Sequence, residues 1–91
     1  MYKIESTRQF RTDFKALSKS DEQKVLKALK ILEEDGTLPR IPYLTHQLKG
    51  EYANNWEAHI RPDLLLIWFE KEDDIIKLIR VGKHSNLFRK Y

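Results

Sequence analysis

The sequence predicts an α+β fold: a two-helix hairpin packed on one face of a small, mainly antiparallel sheet that ends in a three-strand meander. Three observations carry this. Trp56, Ala58 and Ile60 alternate with Glu57, His59 and Arg61, the period-two signature of a half-buried strand. The next run, from Leu64 to Phe69, is apolar at every position, as in a strand covered on both faces. Upstream, apolar residues recur instead at helical spacing. Ninety-one residues suffice for one domain, residues 1–91, with one modest core.

In chain order, Tyr2-Lys3-Ile4-Glu5-Ser6 alternates and predicts a short N-terminal strand added to the sheet. Ser6 or Thr7 can cap the helix that follows, whose stripe is Phe10, Phe14 and Leu17. Ser18-Lys19-Ser20 breaks it. Ser20 with Gln23 reads as a capping box, and Asp21 and Glu22 suit a positive helix start. Val25, Ala28, Leu29 and Leu32 make the second stripe, and Gly36 followed by Pro39 stops the helix. Residues 38–55 are less regular; Tyr43 to Leu48 reads as an extended segment folded back on the first meander strand, which brings His46 near His59. The turn Arg61-Pro62-Asp63 then separates the first two meander strands, because proline fixes its own φ and disfavours helix before it. The link Lys71-Glu72-Asp73-Asp74 leads to a third strand from Ile75 to Val81.

Composition excludes several classes. The chain has no cysteine, so it has no disulfide framework, thiolate metal site or thiol nucleophile. Its longest apolar run is six residues, too short for a membrane span, and Lys3, Glu5 and Arg8 interrupt any secretory signal. A cytoplasmic protein without membrane association is expected. The net charge of +3 is a weak pointer to polyanions, but its distribution is informative. Acids gather at Glu33-Glu34-Asp35 and at Glu70, Glu72, Asp73 and Asp74, whereas the opposite end of the meander carries Arg61, Arg80, Lys83, Arg89 and Lys90 with one acid, Asp63.

That basic end is the candidate site. Counting outward from the two turns sets His59 and Arg80 level on either side of Leu65, with Asp63 and His84 nearby; the count supports proximity and leaves a shared face open. Imidazoles exchange protons near neutral pH, and guanidinium forks match phosphate oxygens. One carboxylate without a second nearby is a poor hard-metal site, so no cofactor or metal is expected. The set suits metal-free transfer at phosphorus, in which a ribose 2′-hydroxyl attacks its own phosphate. Each residue also has an ordinary reading. A single strand histidine is commonly a surface or hydrogen-bonded side chain, and Arg80 can be a structural partner of Asp63. Lys24, Lys27 and Lys30 lie at i, i+3, i+6 and either meet RNA phosphates or form a solvated helix face. A helical His59/Asp63 zinc pair is blocked by Pro62.

Three segments, taken together, resemble the YafQ branch of RelE-type bacterial toxins. They are His46-Gln47-Leu48-Lys49-Gly50, Ala58-His59-Ile60-Arg61-Pro62-Asp63-Leu64-Leu65-Leu66-Ile67 and Arg80-Val81-Gly82-Lys83-His84-Ser85-Asn86-Leu87-Phe88. The resemblance implies an endoribonuclease that cuts mRNA in the ribosome and is held inactive by a cognate antitoxin. It implies catalytic positions at His46, His59, Asp63, Arg80, His84 and Phe88; Arg61 and Lys83 of the basic end are the candidate RNA contacts beside them. By similarity His84 is the general acid and Arg80 stabilises the phosphorane. His46, His59 and Asp63 supply the base and its orientation, and Phe88 stacks on or positions a nucleobase. Leu64 stands where the family pattern often has Trp, so any stacking by that Trp is absent or supplied elsewhere. Two other readings compete: a non-enzymatic ParE-like toxin that binds a protein target such as DNA gyrase, and an inert RNA- or ribosome-binding module. Neither needs the histidine set.

Overall fold

The structure is a computed structural model that describes residues 1–50 and 54–87. Its elements run β1 (Lys3–Ser6), α1 (Arg8–Lys15), α2 (Lys19–Asp35), a helical turn α3 (Arg40–Tyr43), β2 (His46–Gln47), β3 (Trp56–Arg61), β4 (Leu64–Glu72), β5 (Ile75–Gly82) and a last turn, α4 (His84–Leu87). The expected α+β architecture is what forms. Five strands lie in the order β1-β5-β4-β3-β2, with β1 parallel to β5 and every other pair antiparallel.

Both helices pack on one face. Their stripes supply Phe10, Val25, Ala28 and Leu32 to a core shared with Ala58, Leu64, Leu66, Trp68, Ile76, Leu78 and Val81. Strand alternation then sends Leu65 and Ile67 to the other face, where Leu87 of α4, Leu48 and Ile79 cover them. This explains why β4 is apolar throughout: each of its faces has its own cover.

The helix boundaries follow from caps. Thr7 is the N-cap of α1; its hydroxyl accepts from Phe10 N at 3.0 Å and donates to Ile79 O at 2.8 Å. The cap of α2 is Ser18 rather than the expected Ser20, and its hydroxyl accepts from Asp21 N at 3.1 Å. Asp21 and Glu22 remain in the first turn with this earlier start, where acids are favoured by the exposed N–H groups. Gly36 closes α2 at φ 78°, and the Tyr2 ring occupies the space that a Cβ there would need. Both features favour glycine at that position.

Two expectations about the meander change. The segment expected to be extended from Tyr43 to Leu48 is strand only at His46–Gln47, because the chain first closes a tight turn over Arg40–Tyr43, with Ile41 extended and Leu44 N donating to Arg40 O. The second hairpin turns on Asp73 and Asp74 alone, with Asp74 at φ 69°, so Glu72 pairs with Ile75. This tighter turn, with irregularities between Ile67 and Trp68 and between Glu70 and Glu72, sets Arg80 level with Ile67 and Gly82 level with Leu65. His59 is level with Leu65, as the count gave.

Candidate active site

The expected return of the chain on β3 brings three side chains together at the sheet edge. His46 pairs in register with Glu57, and the alternation of β3 sets Glu57 and His59 on the same face, two residues apart. Glu57 Oε1 lies 3.3 Å from His46 Nε2 and 3.8 Å from His59 Nε2. The two imidazole rings are 6.4 Å apart between centroids. His46 Nδ1 is 2.9 Å from Leu44 O, so the donor hydrogen sits on Nδ1 in that contact and leaves Nε2 for Glu57 and the solvent. The carboxylate is 8% exposed, against 50% for His46 and 28% for His59. A nearly buried carboxylate thus lies between two accessible imidazoles and restrains both rings.

Glu57 was absent from the sequence-derived site, which contained one carboxylate only. The signal was present, since Glu57 shares the period-two face of His59. What the sequence lacked was the β2–β3 register that sets His46 opposite Glu57. Among the described residues, no group of three or more His, Asp or Glu side chains is arranged to hold a metal ion.

Asp63 occupies the exposed β3–β4 turn and helps hold the positive charge of Arg61. Arg61, expected at the RNA, instead makes a two-pronged ion pair with Asp21 of α2. Its Nε reaches Oδ1 at 2.8 Å and its Nη2 reaches Oδ2 at 2.9 Å. The guanidinium holds the Asp21 carboxyl below its ordinary value of 3.8, and the same hydrogen bonds raise the affinity of Arg61 for its proton. The irregularity of β3 between His59 and Arg61 accounts for this: it turns Arg61 toward the helices while His59 keeps the other face.

Arg80 is level with Ile67, which shares a face with Leu65 and hence with His59. The shared face left open by counting is therefore supplied by the observed register. With β4 between them, the His59 and Arg80 backbones are about 12 Å apart by ordinary sheet spacings. The structural partner of Arg80 is Asp13 of α1, not Asp63. Nε lies 2.6 Å from Oδ2 and Nη2 lies 3.1 Å from Oδ1. The positive field expected at this end is thus reduced by Asp13 and Asp21 from the helices and by Glu57 of β3 itself.

His84 and Lys83 are exposed where β5 passes into α4, beyond Gly82 and so beyond the level of His59. Lys24, Lys27 and Lys30 are exposed on α2, which covers the opposite face of the sheet from the histidines. They lie apart from the histidine cluster. Phe88, with Arg89, Lys90 and Tyr91, lies outside the described residues. Leu64, at the position of the family's Trp, is 1% exposed in the helix-side core, so it offers no surface for stacking.

Comparison with known proteins agrees with this architecture. The family model described as a bacterial toxin of type II toxin–antitoxin systems, YafQ, matches residues 2–89. The mRNA interferase toxin YafQ of Escherichia coli K12 is 34% identical over 88 residues, spanning 93% of this chain and 94% of that protein. Among solved structures, a metal-bound toxin from Helicobacter pylori is 35% identical with a TM-score of 0.83, covering 97% of this chain and 100% of that one. The E. coli DinJ–YafQ complex matches at 30% identity and a TM-score of 0.81, covering 97% and 99%. This chain belongs to the YafQ family of bacterial toxins of type II toxin–antitoxin systems.

Proposed function

We propose that this YafQ-family chain is a ribosome-dependent, metal-independent endoribonuclease that cleaves mRNA and inhibits translation. The observation that carries the reading is the nearly buried Glu57 between His46 and His59. A protein-binding toxin or an inert RNA-binding module has no use for a buried carboxylate shared by two accessible imidazoles. The mRNA interferase activity named for the E. coli relative supports the same reading.

In the proposed reaction one imidazole of the His46/His59 pair takes the proton from a ribose 2′-hydroxyl, with Glu57 stabilising the imidazolium that forms. The 2′-oxygen attacks the adjacent phosphorus, and Arg80 faces the charge that develops on the phosphorane oxygens. The bond from phosphorus to the 5′-oxygen breaks, and His84 gives that oxygen its proton. The products are a 2′,3′-cyclic phosphate and a 5′-hydroxyl. Asp63 supports the base side, and Phe88 stacks on a nucleobase, as the family resemblance implies. Lys83 and Arg61 flank the RNA path, and Arg61 reaches it only by leaving Asp21. The chain works as a single domain over residues 1–91.

A cognate antitoxin is the proposed partner, as DinJ is for YafQ in the E. coli complex. It covers the strand-end site or lies along the helices and the sheet edges, β1 and β2.

Primer extension on a defined mRNA, with and without ribosomes, tests the reading. The chelator is set at the highest EDTA level that intact ribosomes tolerate, and wild type is compared with His84→Ala. Cleavage by wild type alone, dependent on ribosomes and on no metal beyond theirs, is the expected result. Absence of cleavage under every condition transfers the reading to a toxin that acts by binding protein.

A further inference from the structure

We propose that Asp13 is a positioning residue that fixes the Arg80 guanidinium for the scissile phosphate, acting through Arg80 and not on the RNA. The inference rests on the ribonuclease reading above, in which Arg80 meets the phosphorane.

The structural problem at Arg80 is local. β1 pairs with β5 only from Ile75 to Leu78, so the β5 backbone loses its strand neighbour on that side just before Arg80. On its other side, the pairing with β4 is irregular at the same point, between Ile67↔Arg80 and Trp68↔Leu78. A strand that has lost one neighbour and slipped against the other is a loose mount for a charge required to meet a phosphate in one geometry.

Helix α1 replaces the missing strand. At its start, Thr7 N donates to Leu78 O at 3.0 Å and the Thr7 hydroxyl donates to Ile79 O at 2.8 Å. Near its end, Asp13 Oδ2 accepts from Arg80 Nε at 2.6 Å and from Val81 N at 3.2 Å, while Oδ1 accepts from Arg80 Nη2 at 3.1 Å. One carboxylate therefore braces the backbone after Arg80 and holds one edge of its guanidinium. The pair is largely sheltered, at 24% exposure for Arg80 and 16% for Asp13. A guanidinium is a rigid planar fork, so holding it by Nε and Nη2 fixes the plane of the whole group. The rotamer freedom of a long side chain is lost before the RNA arrives rather than during the reaction.

Asp13 also has an opposing effect, because its charge offsets that of Arg80. The sign of its contribution therefore distinguishes orientation from simple charge. If charge were decisive, removing the carboxylate would accelerate cleavage; if orientation is decisive, removal slows it.

The experiment is a double-mutant cycle measured as kcat and KM on mRNA-programmed ribosomes, with unfolding followed in parallel. Asp13→Ala is expected to lower kcat by about ten- to a hundredfold, the scale of a misplaced catalytic group, with KM within about twofold. Asp13→Asn keeps an oxygen acceptor for Arg80 and Val81 and is expected to recover part of the loss; it also serves if the alanine variant folds poorly. In an Arg80→Ala background, Asp13→Ala is expected to change kcat no further. An unchanged or faster Asp13→Ala enzyme overturns the positioning role and leaves the ribonuclease reading standing. An equal loss in the Arg80→Ala background overturns it too, since Asp13 would then act on the fold generally. A silent wild type overturns the ribonuclease reading and this inference with it.

Discussion

The two faces of the sheet come from the same alternating strands, yet they spend their charged residues differently. On the face under α1 and α2, Leu64, Leu66 and Trp68 are each 1% exposed or less, and Arg61 is tied to Asp21 at the margin. On the other face, β3 presents Glu57 and His59 beside His46, and both imidazoles stay accessible. Helix acids pair with the arginines of both faces, Asp21 with Arg61 and Asp13 with Arg80. The second face also leaves imidazoles open to solvent, restrained by one nearly buried acid. Stability and chemistry are thus separated by the period-two geometry of a single sheet.

That separation can be broken deliberately. The largest effect is expected for His84→Ala. Loss of a general acid lowers the cleavage rate by about 10²- to 10⁴-fold, while the unfolding transition of this exposed position stays where it is. Primer extension and thermal unfolding of the same preparation check both halves. Next comes Leu66→Ala on the covered face, which is expected to cost about 2–5 kcal/mol in denaturant unfolding by leaving a cavity. The fraction that remains folded should still cleave at the wild-type rate. A fall in both for either variant would mean that the faces are coupled.

Glu57→Gln sharpens the comparison from within the site. It keeps the side-chain shape and removes the charge that two imidazoles share. Loss of the charge that faces the forming imidazolium is expected to slow the single-turnover rate about ten- to a hundredfold, about 1.4–2.7 kcal/mol in the barrier. A rate within twofold of wild type would remove Glu57 from the mechanism. The smallest effect is expected at Asp21. Arg61 depresses the Asp21 carboxyl below 3.8, so its stabilising contribution is present above that value and is lost as pH falls through the folded one. The stability difference between wild type and Asp21→Asn should therefore be greatest above about pH 5 and shrink on acidification, as read from urea midpoints across pH. A difference independent of pH would assign the role of Asp21 to the α2 cap and not to the Arg61 pair.

Much of this was written into the chain by local rules. Phe10, Val25, Ala28 and Leu32 fall on helical stripes and enter the core as the spacing requires. The β3 alternation and the Pro62-Asp63 turn set His59 level with Leu65, and the return of His46 beside His59 followed from the same segment. The cap of α2 is ambiguous in the sequence, because Ser18 and Ser20 both offer a hydroxyl and have acids behind them, and the structure selects Ser18. Counting alone sets Arg80 two residues from its observed level, because the four-residue charged link contains a two-residue turn. Side-chain chemistry alone does not distinguish these cases.

The sequence by itself determined the fold class, the order of the meander and the histidines that carry the candidate chemistry, since each depends on periodicity and turn residues within a few positions. Only the tertiary structure decided the partners of the charges. Asp13 meets Arg80 across 67 positions, Asp21 meets Arg61 across 40, and Glu57 meets His46 through a two-residue strand. Such pairings depend on register and on where a helix crosses a strand end, and nothing periodic in the chain records them. A register one residue different would send Glu57 to the other face and leave the imidazoles without their shared acid.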